Sequence, residues 1–205
     1  MNSAALEAVA LYFPAAIVLS ITPGTDTVLV LRSASSGGSG AGVLASLGVA
    51  LGCAIWAALA AFGLAALVAA SQIAYTALKW IGASYLLWLG VRALLRPRTK
   101  LDAAKAAKRA SSFADGLLTN LLNPKVGIFY VSFLPQFVPP GVPVVSMVLL
   151  LGAIHAALSL MWLCIVALAT DSLSYVLQRP KLVGLLDRAT GVVFIAFAAR
   201  LALTA

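Results

Sequence analysis

Groups that do acid–base, metal or redox chemistry are scarce in this chain: six aspartates and glutamates, one histidine and two cysteines, against 14 lysines and arginines. Cys53 and Cys164 lie inside apolar runs without CxxC spacing and make no metal motif. Asp26 and His155 are the obvious hard ligands at membrane depth, too few for a convincing metal site, and no cofactor is expected. Charge as a whole is also missing. Charged residues make up 10% of the 205, where soluble domains carry about 25%. With 62% hydrophobic residues and a mean hydropathy of +1.05, this composition excludes a water-soluble domain and defines an all-α polytopic membrane protein. Met1 to Ala10 carries Glu7 and no basic residue, so it lacks the n-region of a cleavable signal peptide and reads as retained.

What is present is apolar sequence in lengths that fit a bilayer. A membrane-spanning helix needs about 20 residues, and six windows supply them, so residues 1–205 read as a single transmembrane domain. The expected helices are Ala8–Leu31, Ala41–Ala70, Ala74–Leu95, Phe113–Phe137, Val144–Thr170 and Asp187–Leu203. Between the first two, Arg32 to Gly40 is rich in serine and glycine and reads as a loop. A basic linker over 96–112 holds Arg96, Arg98, Lys100, Lys105, Lys108 and Arg109 against Asp102. The net charge of +8 therefore concentrates in loops and calls for no nucleic acid. Arg32, the linker, and Arg179 with Lys181 mark one side; loops two–three and four–five carry no lysine or arginine. The positive-inside rule puts the basic side in the cytoplasm and both termini on the periplasmic side, with Arg200 as a snorkelling exception. Asp115, Asp171 and Asp187 fall near the cytoplasmic helix ends, where they would cap helices or pair with basic loops.

Two of the six windows are interrupted. Pro23-Gly24 stands inside the first and Asn123-Pro124 inside the fourth, and proline both removes a backbone donor and clashes with the carbonyl four residues back. Helices one and four should break there. In helix three, Lys79, Gly82 and Tyr85 match Arg188, Gly191 and Phe194 of helix six in type and spacing. The chain then divides into repeat one, 1–95, and repeat two, 113–205. Because a three-span unit is odd, its copies must be inverted, and paired broken helices in inverted repeats point to a substrate site near the bilayer midplane. A Gly48/Gly52 pair would allow close backbone approach, either inside the bundle or in a homodimer.

The residues at the breaks define the chemistry on offer. Half-helices starting at Gly24-Thr25 and Pro124-Lys125 present unpaired N–H groups that suit a carboxylate, and Lys125 adds a full cation. Asp26 complements an ammonium group, while Thr22, Thr25, Asn120 and Asn123 supply neutral donors and acceptors. Together they would hold a zwitterion. Asp26, with His155 as a relay, is the candidate proton carrier. Each has a plainer use: Asp26 as a helix cap, Lys125 as a snorkelling cation, His155 as a packed core residue.

Pro23-Gly24-Thr25-Asp26, Asn120-Leu121-Leu122-Asn123-Pro124-Lys125, Phe133-Leu134-Pro135-Gln136-Phe137 and the Lys79, Gly82, Tyr85-Leu86, Gly90 pattern resemble the LysE/RhtB-type amino-acid exporters of bacteria, in order and over the whole length. The resemblance implies six helices in two inverted repeats, an inner-membrane location, and export of amino acids or close derivatives against proton entry. Thr25 departs from the family, which usually has a second proline there; the change either softens the break or adds a hydroxyl to the site. Two rival functions remain from the residues alone. A divalent-cation exporter would need more hard ligands, and a transmembrane thiol–disulfide electron carrier would need a cysteine beside each break, where this chain has none.

Overall fold

The computed structural model describes residues 3–97, 112–170 and 179–203, and every regular element among them is helical. In chain order these are α1 (Ser3–Ile21), α2 (Thr25–Ala70), α3 (Gln72–Leu95), α4 (Ser112–Leu121), α5 (Pro124–Ile128), a π-helical turn (Phe129–Phe133), a 3₁₀ turn (Leu134–Phe137), α6 (Val144–Leu168) and α7 (Pro180–Leu203). Asp171 and the linker's Arg98, Lys100, Asp102, Lys105, Lys108 and Arg109 lie outside the described residues, as do the side chains of Lys79 and Arg200.

Four of these helices are long and apolar enough to cross a membrane, and the pair α4 and Pro124–Phe137, bent by 52°, makes a fifth. Their outward faces are as apolar as their inward ones. Helix α6 exposes Met161, Ile165 and Leu168 while burying Val148, Leu151 and Val166. A helix that is hydrophobic all round and not enclosed by protein is solvated by lipid. The protein is an all-α, multi-pass membrane protein.

Both interruptions occur where proline demands them. Helix α1 stops at Ile21 and α2 starts at Thr25; α4 stops at Leu121 and α5 starts with Pro124 at its first position, capped by Asn123. The expected loop over Arg32–Gly40 is a correction. This stretch is helical except at Gly38, whose φ of 79° and ψ of 170° suit glycine alone. Serine composition suggested a loop, yet Ser36 Oγ donates to the Arg32 carbonyl (2.8 Å) and so satisfies itself within the helix. Straight, the 46 residues of α2 would reach about 69 Å, over twice the ~30 Å of hydrocarbon. Instead the chain folds back at Gly38. A Cβ built on Gly42 would lie 2.8 Å from the Ala34 Cβ, which is impossible along one straight helix. The two arms of α2 are therefore an antiparallel hairpin joined by one glycine.

Helix α7 starts seven residues before the expected Asp187, because Pro180 is preorganised for a first helical position and Leu182 and Val183 donate back to the Arg179 carbonyl. At the other end of helix four, Pro135 cannot continue an α-helical ladder. The preceding turn widens to i→i−5 bonding, with Leu134 N–H on the Phe129 carbonyl, before tightening to 3₁₀.

Small residues set the packing. Gly48 faces the Phe113 carbonyl, Gly52 faces Asn120, and Gly116 answers from α4 against the Ala45 carbonyl, so the second arm of α2 and α4 touch backbone to backbone. The Gly48/Gly52 pair is thus used inside the bundle. Helices α3 and α7 cross at Gly90 and Gly191 in the same way.

Candidate functional site

The two helix breaks meet. Asp26, in the first turn of α2, accepts hydrogen bonds from Asn120 Nδ2 (2.9 Å, to Oδ2) and Asn123 Nδ2 (3.2 Å, to Oδ1), joining the two breaks across 94 and 97 residues of chain. A carboxylate can only accept here, which fixes both amides with their nitrogens toward it. Asn123 does two things at once, since its Oδ1 takes the Lys125 backbone N–H (3.1 Å) as the cap of α5. Asn120 is fully buried, and its Oδ1 has no hydrogen-bond partner. That oxygen is pressed against Gly52 of α2, where an added Cβ would lie 2.5 Å from it.

These groups line a central cavity of about 40 Å³, together with Thr22, Gly24, Lys125 and His155. A buried water needs roughly 10–15 Å³ of this kind of space, while small-molecule sites run to several hundred. The cavity has room for a few waters and no more. Ser20, Cys53 and Ser159 complete much of its polar wall. His155 is buried, with Nδ1 3.0 Å from Tyr130 Oη and Nε2 3.4 Å from Ser159 Oγ; Ser159 in turn lies 3.3 Å from Ser20 Oγ. This chain of exchangeable protons starts under Phe129, whose ring centroid is 4.6 Å from the imidazole, and ends at the cavity.

Beyond His155, aromatic side chains close the way. Tyr12, Phe129, Phe133, Phe137 and Phe197 stack with centroid separations of 4.5 to 6.3 Å, and Tyr12 Oη donates to the Leu151 carbonyl. The π-helical and 3₁₀ turns are what bring the three phenylalanines of 129–137 into this block. On the opposite side of the breaks lies a wider chamber of about 330 Å³, between the end of α3, α7 and residues Thr22, Pro124 and Lys125.

Of the residues the sequence singled out, Thr22, Gly24, Asp26, Asn120, Asn123, Lys125 and His155 come together around the central cavity. Pro124 lines the chamber instead, and Pro23 is buried in the wall of neither. Thr25 is exposed and also lines neither, though its hydroxyl lies 3.4 Å from Asp26 Oδ1. Asp187 is buried on α7 and lines the chamber, away from the helix start where a cap would sit. Sequence reasoning missed Cys53, Tyr130, Ser159 and Thr190. Ser159 was findable, being one helical turn from His155 and so on the same face; Tyr130 carries no signal apart from its place in the unforeseen π-helical turn. Both cysteines are free thiols. Among the described residues no three His, Cys, Asp or Glu side chains gather as a metal site.

Paired helix breaks around a small polar cavity, in a bundle solvated by lipid, define a membrane translocator. The sequence matches the family described as LysE type translocator over residues 17–205, and the chain belongs to it. It is 35% identical to a leucine efflux protein of Klebsiella pneumoniae over 200 residues, covering 93% of this chain and 92% of that one. It is 31% identical to a leucine efflux protein of Salmonella typhimurium (93% and 92% covered) and 30% identical to the uncharacterized membrane protein YrhP of Bacillus subtilis (91% and 94% covered). No solved structure matches the chain.

Proposed function

We propose that the protein exports neutral, apolar amino acids of the leucine type from the cytoplasm across the bacterial inner membrane, by proton antiport, as two inverted three-helix repeats with both termini periplasmic. The observation that carries this reading is the Asp26 carboxylate held between Asn120 and Asn123 where the two broken helices meet, with Lys125 in the same cavity wall. Asp26 suits a substrate ammonium; Lys125 and the N-terminus of α2 suit its carboxylate. Val49, Val126 and Leu163 line the same cavity and suit an apolar side chain. Thr22, Gly24 and Asn123 complete the first contacts, and Pro23, Thr25 and Pro124 shape the breaks. Efflux of leucine by the named relatives supports the substrate class.

Proton coupling follows from giving Asp26 alternate partners. With substrate present it faces an ammonium; on the return it takes a proton, and the chain of His155, Ser159 and Ser20 offers a route toward the cavity. The test is uptake of radiolabelled leucine by inverted vesicles with and without an imposed proton gradient, beside Asp26→Asn. Gradient-driven accumulation lost in the variant is the expected result. Accumulation that survives it would leave Asp26 a structural cap, and no uptake of any amino acid by sealed vesicles would overturn the exporter reading and make a metal-ion panel the next test.

A further inference from the structure

The small cavity and the wider chamber share a wall. Thr22 and Lys125 belong to the walls of both, and Thr22 Oγ1 meets Thr190 Oγ1 at 2.6 Å, joining the end of α1 to α7. Both threonines are buried. Each hydroxyl also lies within hydrogen-bond reach of a carbonyl one turn back on its own helix, Thr22 of Val18 and Thr190 of Leu186 (2.9 Å). That makes three contacts for two hydroxyl protons. While the threonines touch, one hydroxyl donates to the other and the second to its own carbonyl; when they separate, each hydroxyl donates to its own helix, and the Val18 carbonyl keeps the Thr22 backbone N–H (3.1 Å) throughout. Opening this contact strands no buried donor, which is where the penalty for breaking a buried polar contact normally arises. The aromatic block on the other side offers no such exchange.

The chamber itself is charged. Arg92, Arg96 and Lys125 line it together with one buried carboxylate, Asp187, and the Arg92 guanidinium stands 5.3 Å from the centre of the Trp88 ring. A planar cation stacked on an aromatic face keeps its edge N–H groups for a carboxylate. At about 330 Å³ the chamber falls in the size range of small-molecule sites, which the central cavity does not.

We propose that this chamber is an access site that takes the substrate by its carboxylate, through Arg92 and Lys125, and that the Thr22–Thr190 contact is the latch through which it passes to the central cavity. The carboxylate site rests on the exporter reading; the latch does not.

Cys53 makes the latch measurable, because its thiol lines the central cavity and is 1% exposed. In a Cys164→Ala background it is the remaining thiol, and a membrane-impermeant methanethiosulfonate added to inverted vesicles can reach it only when the cavity opens toward the chamber. Thr190→Val should raise the labelling rate about tenfold and Thr190→Ser should leave it at the parent value, while right-side-out vesicles show little change. Equal rates in Thr190→Val and parent, or equal acceleration from both faces, would overturn the latch. Size-exclusion profiles of both variants check that they remain folded.

For the access site, leucine should slow Cys53 labelling in the parent, and Arg92→Gln should raise the leucine concentration needed by several-fold with kcat of uptake nearly unchanged. Protection and KM that do not move in Arg92→Gln would overturn the carboxylate role. An effect that tracks the phosphatidylglycerol content of the vesicles instead of leucine would assign the arginine to a lipid headgroup and overturn that role equally. If no amino acid is transported or protects, the exporter reading and its access site fall together, while the Thr190→Val rate still decides the latch.

Discussion

Asn123 carries more of the site than its size suggests. One end of its amide caps α5 and the other holds Asp26, so a single side chain fixes both where the second half-helix begins and where the carboxylate points. Asn123→Ala should lose the cap, worth about 1 kcal/mol, and leave Asp26 with one amide donor in place of two. Thermal unfolding in detergent should show a lowered midpoint, with Asn123→Ser recovering most of it because serine also caps. A midpoint unchanged in the alanine variant would mean that the cap contributes nothing. Asn120→Asp tests the electrostatics instead. It replaces a donor 2.9 Å from Asp26 with a second carboxylate, and like charges at this distance cannot both ionise. Uptake in vesicles should fall at least tenfold at neutral pH and recover partly on acidification, as one proton comes to be shared; a pH profile parallel to the parent's would refute the pairing. Most of this constellation was legible, because a proline, a carboxylate and two asparagines in hydrocarbon are each costly and together point to a site. Cys53 and Thr190 were not, since such residues sit in membrane helices for many reasons and only the fold says which ones face inward.

At the level of elements, the legible features were those with a steric cause. Proline dictated both breaks, and length dictated the hairpin's two arms, but the one-residue turn at Gly38 was hidden by a serine-rich composition that ordinarily reads as a loop. Gly38→Ala puts a side chain at φ 79°, ψ 170°, a region open essentially to glycine, and should destabilise the protein by about 1–3 kcal/mol. Gly48→Ala should do comparable harm for a different reason, because its added Cβ would press on the Phe113 carbonyl, a backbone atom with little freedom to give way. Gly63→Ala, where a Cβ meets nothing within 4 Å, is the matched control. Midpoints for the three variants should separate accordingly; a Gly48→Ala protein as stable as Gly63→Ala would mean that α2 and α4 are not in backbone contact there. The turn ending at Pro135 was illegible in a third way: sequence shows that the α-helix must end near a proline but not whether the chain widens or tightens before it.

For the whole molecule, charge distribution remains the basis for orientation. A periplasm-dependent reporter fused after Ala205 should be active and the same reporter fused after Arg96 inactive; the reverse pattern would invert the assignment of faces and, with it, the side from which the chamber fills. The large contacts between different helices have a pattern of their own. Helix α2 packs on α4 and α6, α3 packs on α7, and α1 lies against α6, α7 and the 3₁₀ turn, so the main partners of each half of the chain come from the other half. Each half is the other's interior. Residues 1–97 expressed alone should fail to accumulate, as should 98–205, whereas the two made together from separate genes should restore leucine export to a measurable level. Seen this way, a chain half as long would have no stable monomer at all. If the two repeats are inverted, as proposed, it would be obliged to enter the membrane in both orientations and find a copy of itself upside down, and joining two such copies end to end would turn an encounter between molecules into a property of one.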